Sequence, residues 1–352
     1  MKRTFFITGG CGFIGSCFIR NIIKNSNHKI VNIDRLSYAS NKSLNKFKND
    51  TNYKLYKNDI NDEKIISKIL RLHKPDYILH FAAESHVDRS IDEPEDFIKS
   101  NVLGTYKLLH NSYEYWSKLS SSKKKRFRFI MISTDEVYGS LKKNEKQFEE
   151  TNAYKPNSPY AASKASSDHL ARAWYKTYGL PVIITNTSNN YGPWQFPEKL
   201  IPLTIQKCIN KESIPIYGNG RQVRDWINVE DHIEGIKFIL NKGNIGEKYN
   251  IGSNKELQNI EVVRTICDLY DEIILNKPYT SRKLISFVND RPGHDIRYAI
   301  NNKKISKLGW KPNISWEDGI KDTITWYLNN NKYLMMIEKN KYSGKRLGNI
   351  KR

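Results

Sequence analysis

The chain is poor in cysteine, short of acidic residues relative to basic ones, and without a long apolar run. Its four cysteines, Cys11, Cys17, Cys208 and Cys267, form no C-x-x-C pair and no zinc-ligand spacing. That excludes a disulfide scaffold and predicts a reduced cytoplasmic protein with no metal site. No stretch approaches the roughly 18 apolar residues that a membrane-spanning helix needs, and the apolar run after Met-Lys-Arg is too short for a signal-peptide core. A soluble protein without a membrane partner is therefore expected. Against 58 Lys and Arg stand 37 Asp and Glu, a formal charge of +21. Such a field suits anionic small molecules as well as nucleic acid, and nucleic acid is the minor reading. The lysines at 123–125 and the basic last dozen residues read as solvated surface or a loose tail. Hydrophobic content of 38% and aromatic content of 12% exclude a disordered chain.

What is present is a rhythm. Candidate strands are Thr4–Thr8, Lys29–Asp34, Tyr53–Lys57, Tyr77–Ala82, Arg128–Ser133 and Val182–Asn186. Between them lie amphipathic helical patterns at Phe13–Lys24, Asp62–Leu72, Glu95–Leu119 and Ala161–Tyr178. Strands alternating with helices give βαβ units, hence an α/β fold with a doubly wound parallel sheet of Rossmann type. After about Gly192 the alternation loosens, with prolines at 193, 197, 202 and 215. Residues 1–191 are expected to form the Rossmann domain and 192–328 a smaller substrate lobe, parts of which can return to the sheet. Residues 329–352 are expected to be a basic C-terminal tail.

Thr8-Gly-Gly-Cys-Gly-Phe-Ile-Gly15 follows the first strand and opens the first helix. Gly9, Gly12 and Gly15, with Phe13 and Ile14 between them, fit a pyrophosphate turn. Such a turn needs a tight bend, a close backbone approach and a helix N-terminus. Asp34 ends the second strand about 20 residues on, where a carboxylate accepts from the adenosine ribose and repels a 2′-phosphate. NAD is thus expected over NADP, although the adjacent Arg35 weakens that inference.

Tyr160 and Lys164 sit four apart on a helical pattern and share a face. A tyrosine acting as a base must lose a proton far below its usual pKa near 10, and a neighbouring ammonium favours the phenolate. Thr134-Asp135-Glu136 ends the buried run from Phe129, at the strand edge where open α/β sheets bind ligands. Paired carboxylates there suit general acid–base work.

These motifs, with Ser133-Thr-Asp-Glu-Val-Tyr-Gly139, resemble the extended short-chain dehydrogenase/reductases. Asn189-Asn-Tyr-Gly-Pro193, Phe196-Pro-Glu-Lys-Leu-Ile-Pro202, Arg224-Asp-Trp and Asp290-Arg-Pro-Gly-His294 are similar to those of the dTDP-glucose 4,6-dehydratases. The resemblance runs to about residue 328. It implies a lyase that converts dTDP-glucose to the 4-keto-6-deoxy sugar and water, recycling NAD within each turnover, for deoxysugar synthesis such as that of rhamnose. By the same resemblance Tyr160 removes the 4-hydroxyl proton with help from Thr134 and Lys164, Glu136 takes the C5 proton and Asp135 protonates the leaving 6-hydroxyl. It implies that Asp34, Asp59, Ile60, Ala82, Ser85 and Asn190 line the NAD site. His86, Ser133, Asn189, Glu198, Lys199, Leu200, Pro215, Tyr217, Arg224, Asn259, Arg291 and His294 would hold the sugar nucleotide. Related enzymes pair their long helices into a homodimer, here Glu95–Leu119 with Ala161–Tyr178.

Departures from the pattern bear on specificity. In Asp34-Arg-Leu-Ser-Tyr-Ala-Ser-Asn41, Arg and Ser stand where Lys and Gly are commoner, and Trp194-Gln195 replaces Tyr-His. Gln195-Phe-Pro-Glu-Lys-Leu-Ile-Pro202 is shared with plant-type UDP-glucose 4,6-dehydratases, so UDP-glucose is an alternative substrate; thymine and uracil differ by one methyl contact, about 1–3 kcal/mol. A 4-epimerase would need the Tyr/Lys pair but no elimination machinery. A non-catalytic NAD-binding protein would not need Asp135 and Glu136 at all.

Overall fold

The computed structural model describes residues 2–275, 279–340 and 342. Six parallel strands, β1 (Thr4–Thr8), β2 (Lys29–Ile33), β3 (Tyr53–Tyr56), β4 (Tyr77–His80), β5 (Arg128–Thr134) and β6 (Val182–Thr187), begin at the predicted residues and end within two of the predicted ends. A seventh, Lys248–Ile251, returns from the later chain to pair with β6, and the sheet runs from it through β6, β5, β4, β1 and β2 to β3. This is the doubly wound order, with the chain reversing direction between β1 and β4. Phe129 to Thr134 are all buried, as expected of a strand covered on both faces. One face packs on the helices Phe13–Asn25 and Val229–Lys242 through Phe18, Ile19, Ile233 and Ile236. The other packs on Glu63–His73, Gly104–Trp116 and Pro159–Tyr178 through Ile66, Ile69, Leu108, Leu109 and Ala171.

The second lobe is built on Val223–Asn228, which pairs antiparallel with Glu256–Gln258 and parallel with Arg297–Tyr298 and Asn189–Tyr191. Beside it, Ile214–Tyr217 pairs parallel with Ile285–Val288. The four cysteines are buried thiols, and Cys208 and Cys267 face each other at 3.9 Å. Among the described residues no helix is long and apolar enough to cross a membrane, and no cluster of three His, Cys, Asp or Glu side chains gathers as a metal site.

Two expectations are corrected. The stretch Glu95–Leu119 is not one helix: Pro94–Phe97 leads into a π-helical turn, Ile98–Leu103, before Gly104–Trp116. In that wide turn Asn101 points inward, accepting from the Glu84 N–H at 2.9 Å and donating to the Glu84 carbonyl at 3.0 Å and Ser163 Oγ at 2.8 Å. Extra helical width of this kind recurs at functional sites. The loose tail is also absent over 331–340, where a helix buries Tyr333, Leu334 and Ile337. Its Tyr333 hydroxyl donates to the Trp194 carbonyl at 3.2 Å. The basic residues beyond Tyr342 lie outside the described residues.

Candidate active site

The carboxyl ends of β1, β4, β5 and β6 open into a cleft of about 310 Å³ that runs from the glycine turn to Tyr160 and Lys164. At one end Gly9 adopts a left-handed backbone (φ +69°), and a Cβ there would stand 2.5 Å from the Ala82 backbone. A Cβ on Gly15 would meet the Gly9 carbonyl at 2.6 Å, whereas one on Gly12 would meet only that carbonyl, at 3.3 Å. Gly9 and Gly15 are thus required by packing, and Gly12 leaves the backbone open to the cleft. Gly12 caps the helix Phe13–Asn25, whose first N–H groups and dipole favour an anion. His80 holds this turn from below, bonded to Thr8 Oγ1 at 2.7 Å and Thr105 Oγ1 at 2.9 Å. Burial pushes its pKa down to about 3, so it is neutral.

Asp34 accepts from the backbone N–H of Cys11 at 2.8 Å and of Leu36 at 2.7 Å, one on each oxygen. Each oxygen keeps a further lone pair for a ribose hydroxyl. Arg35, beside it, pairs with Glu84 and, at 3.6 Å, with Asp59. Ile60, Ala82, Ser85 and Asn190 line the same cleft, with Phe13 and Ile14. Asn190 is fixed by His232 at 2.8 Å and by Thr187 Oγ1 at 3.1 Å.

At the other end Thr134 closes β5 and caps a short turn, Asp135–Tyr138, accepting from the Glu136 N–H at 3.3 Å. Asp135 is buried and Glu136 half-buried, and both line the cleft. Asp135 Oδ2 and Glu136 Oε2 are buried with no hydrogen-bond partner in the protein. Two neighbouring carboxyls with oxygens shielded from water resist ionising together. Burial, then Glu136 and Asp225, hold the Asp135 carboxyl well above the usual range. Burial also raises Glu136, but Arg291, Arg224 and Lys199 pull it back. Both carboxyls are thus held above the usual range, and Glu136 faces three cations, Arg291, Arg224 and Lys199, where Asp135 faces Arg224.

Tyr160 and Lys164 lie on the first turns of the helix Pro159–Tyr178, which Ser158 caps. Burial, then Glu136, raises the Tyr160 phenol, while a hydrogen bond with Thr134 lowers it. The Lys164 ammonium donates to the Ile132 carbonyl at 2.8 Å, and two of its three N–H groups remain for other partners. Burial drives Lys164 down to about 8. The opposing pull comes from Asp168, a buried carboxylate that sequence reasoning missed. Its Oδ2 accepts from Ser133 Oγ at 2.8 Å, Tyr154 Oη at 2.9 Å and Asn186 Nδ2 at 3.1 Å. Its one sequence signal is the position one turn beyond Lys164.

Ser133, Asn189, Glu198 and Lys199 line the cleft as expected. Glu198 accepts from Tyr38 Oη at 2.8 Å, and Lys199 donates to the Ser85 carbonyl at 2.9 Å. His86, Leu200, Pro215, Tyr217, Arg224, Asn259, Arg291 and His294 do not line this cleft. His86 caps the helix Val87–Asp92 and is held near pKa 3 by burial and Lys199. Tyr217 Oη and Arg291 both bind Asp88, at 2.7 and 3.3 Å. Arg224 is buried, donating to the Val223 and Asp295 carbonyls and lying 4.3 Å over the Tyr298 ring. His294 bonds Asp290 at 2.6 Å, and the Asn259 N–H donates to the Gln222 carbonyl at 3.0 Å. Arg224 and Arg291 nonetheless act on Glu136 through their charge, so the second lobe supplies the cations that face the acid pair.

The glycine cradle and the orphaned oxygens of Asp135 and Glu136, joined in one cleft by the unpartnered Ser188 Oγ and Asn189 Oδ1, fit a dinucleotide at one end and a reacting substrate at the other. The family model described as GDP-mannose 4,6 dehydratase matches residues 6–323. A curated dTDP-glucose 4,6-dehydratase of Escherichia coli is 51% identical, covering 97% of this chain and 98% of its own length. That of Neisseria meningitidis serogroup B is 47% identical, covering 98% and 99%. Among solved structures, a dTDP-glucose 4,6-dehydratase of Streptomyces venezuelae with NAD and TDP bound superposes with a TM-score of 0.86 at 39% identity, covering 95% of this chain and 99% of that one. A UDP-glucose 4-epimerase of Thermotoga maritima reaches 0.81 at 28% identity, covering 93% and 99%. The chain therefore belongs to the nucleotide-sugar 4,6-dehydratase family that this family model describes, and its near-full-length relatives within it carry the name dTDP-glucose 4,6-dehydratase.

Proposed function

We propose that the chain is an NAD-dependent dTDP-glucose 4,6-dehydratase that releases water and a 4-keto-6-deoxy sugar nucleotide. The observation that carries the reading is the carboxyl pair Asp135 and Glu136, each with one buried oxygen lacking a partner, in the cleft that Tyr160 and Lys164 also line. An epimerase has no elimination to perform and needs no such pair. The names of the near-full-length relatives support dTDP-glucose over UDP-glucose.

Gly9, Gly12, Gly15, Asp34, Asp59, Ile60, Ala82, Ser85 and Asn190 would hold NAD, which when bound supplies a hydride acceptor that takes hydride from sugar C4 and returns it at C6. Tyr160 removes the 4-hydroxyl proton, and Thr134 steadies that oxygen through its hydroxyl. A ketone at C4 acidifies the hydrogen at C5. Glu136, the carboxyl that surrounding cations favour as an anion, takes that proton and gives one back to C5 as hydride arrives at C6. Asp135, whose carboxyl burial holds above its usual range, delivers its proton to the departing 6-hydroxyl, so that water leaves. The cationic groups Lys199, Arg224 and Arg291 suit the diphosphate. The exposed apolar side chains Ile98, Leu103, Tyr106 and Tyr178 lie on the helices predicted to pair, and we assign them to a homodimer working in the cytoplasm. The test is incubation of the purified protein with dTDP-glucose and with UDP-glucose separately, followed by mass spectrometry. Loss of one water from dTDP-glucose is expected, and a product of unchanged mass would overturn the reading in favour of epimerisation.

A further inference from the structure

The sequence sets an arginine next to the ribose-binding acid, and such an arginine is the usual receptor for a 2′-phosphate. The structure assigns this arginine to another task. We infer that Glu84 makes the site selective for NAD by holding Arg35 in an ion pair, and that releasing Arg35 would admit NADP. The inference rests on the cofactor reading above.

Glu84 follows the end of β4 and is buried, with its side chain 6% exposed. It sits between two guanidinium groups, pairing with Arg35 through Oε1 and with Arg89 Nη1 through Oε2 at 2.9 Å. Its own backbone is clamped at both ends by Asn101 of the π-turn, so the carboxylate has little freedom to follow Arg35 elsewhere. A second carboxylate, Asp59, lies 3.6 Å from the other Arg35 terminal nitrogen. Arg89 is itself engaged, lying 4.9 Å over the Tyr38 ring and 3.5–3.6 Å from Glu93 and Asp96.

Asp34, Arg35, Asp59 and Glu84 all line the same end of the cleft. There the three carboxylates outnumber the one arginine that lines it. A 2′-phosphate arriving beside Asp34 would meet net negative charge, and Arg35 would have to leave Glu84 to greet it. That exchange takes one of its two cationic partners from a buried carboxylate, leaving Oε1 without its ion pair, and a buried charge that loses a partner is costly.

The experiment measures dissociation constants for NAD and NADP by calorimetry on the full chain and on Glu84→Gln. Glu84→Gln is expected to strengthen NADP binding relative to NAD by about tenfold or more, the worth of one released charge-assisted contact. Adding Arg35→Gln to that variant should abolish the gain. An unchanged ratio in Glu84→Gln, or a gain that survives loss of Arg35, overturns the inference. If Glu84→Gln does not fold, Arg35→Gln alone decides: unchanged NADP affinity supports a committed arginine, and weakened NADP affinity overturns it. An unaltered chain that binds neither dinucleotide would instead overturn the cofactor reading, and this inference with it.

Discussion

Ser133 Oγ donates to Asp168 Oδ2 at 2.8 Å, which ties the strand carrying the acid pair to the helix carrying Tyr160 and Lys164. The bond crosses 35 residues of sequence and makes Asp168 the carboxylate that steadies the Lys164 charge. Lys164 is pushed down to about 8 by burial, and Asp168 opposes that push. Replacing Asp168 by Asn keeps the shape and removes the counter-charge, so the lysine loses its proton at lower pH. The alkaline limb of the kcat profile should therefore move to lower pH, where a merely structural role would lower kcat uniformly. A limb that stays in place would exclude Asp168 as a positioning residue.

Asp135 and Glu136 should fail differently. Glu136→Gln stops proton removal from C5, so exchange of that hydrogen with deuterated solvent should disappear along with product. Asp135→Asn keeps the base and removes the acid, so exchange at C5 should persist while water loss falls by about 10²–10⁴-fold. Equal loss of exchange in both variants would reverse or merge the roles.

The glycine turn separates packing from binding. Gly9→Ala forces a Cβ to within 2.5 Å of the Ala82 backbone at a left-handed φ, so its melting temperature should fall steeply. Gly12→Ala meets only a carbonyl at 3.3 Å and points its methyl into the cleft. It should melt close to the unaltered chain yet bind NAD more weakly, by calorimetry. A Gly12 variant that binds NAD normally would place the pyrophosphate elsewhere.

Buried neutral histidines predict the acid side of stability. His80 and His232 are each pushed down to about 3 by burial, against 6.5 for the ordinary side chain. The unfolded chain takes up these protons and the folded one does not. Stability is therefore complete above about pH 6.5 and declines as pH falls towards 3, by about 2 kcal/mol per histidine at pH 5. His80→Asn should flatten the dependence of melting temperature on pH between about 7 and 5, even as it lowers stability overall. An unchanged slope would mean that His80 is protonated in the folded chain.

Legibility in the sequence followed distance along the chain. The turn at Gly9 to Gly15, the pair Tyr160 and Lys164, and the step Thr134-Asp135-Glu136 are local, so their spacing fixes their geometry once strand and helix are recognised. The first six strands were legible for the same reason. Asp168 and Glu84 were not, because their meaning depends on Ser133, Asn186, Arg35 and Asn101, which the fold brings from other elements. The π-turn over Ile98–Leu103 was hidden because its apolar pattern passes for ordinary helix. The charge environment of Asp135 and Glu136 depends on Arg224 and Arg291, which lie more than 80 residues further along the sequence.

The seventh strand has a consequence for synthesis. While a ribosome makes this chain, β6 is complete at Thr187, but its partner Lys248–Ile251 has still to be translated. At about 5–20 residues per second the wait lasts several seconds. For that interval a row of unpaired backbone groups on an apolar parallel strand stands open beside the exit tunnel, the kind of edge on which nascent chains aggregate. A chain stalled or truncated between those two strands is therefore the form of this protein most dependent on chaperones.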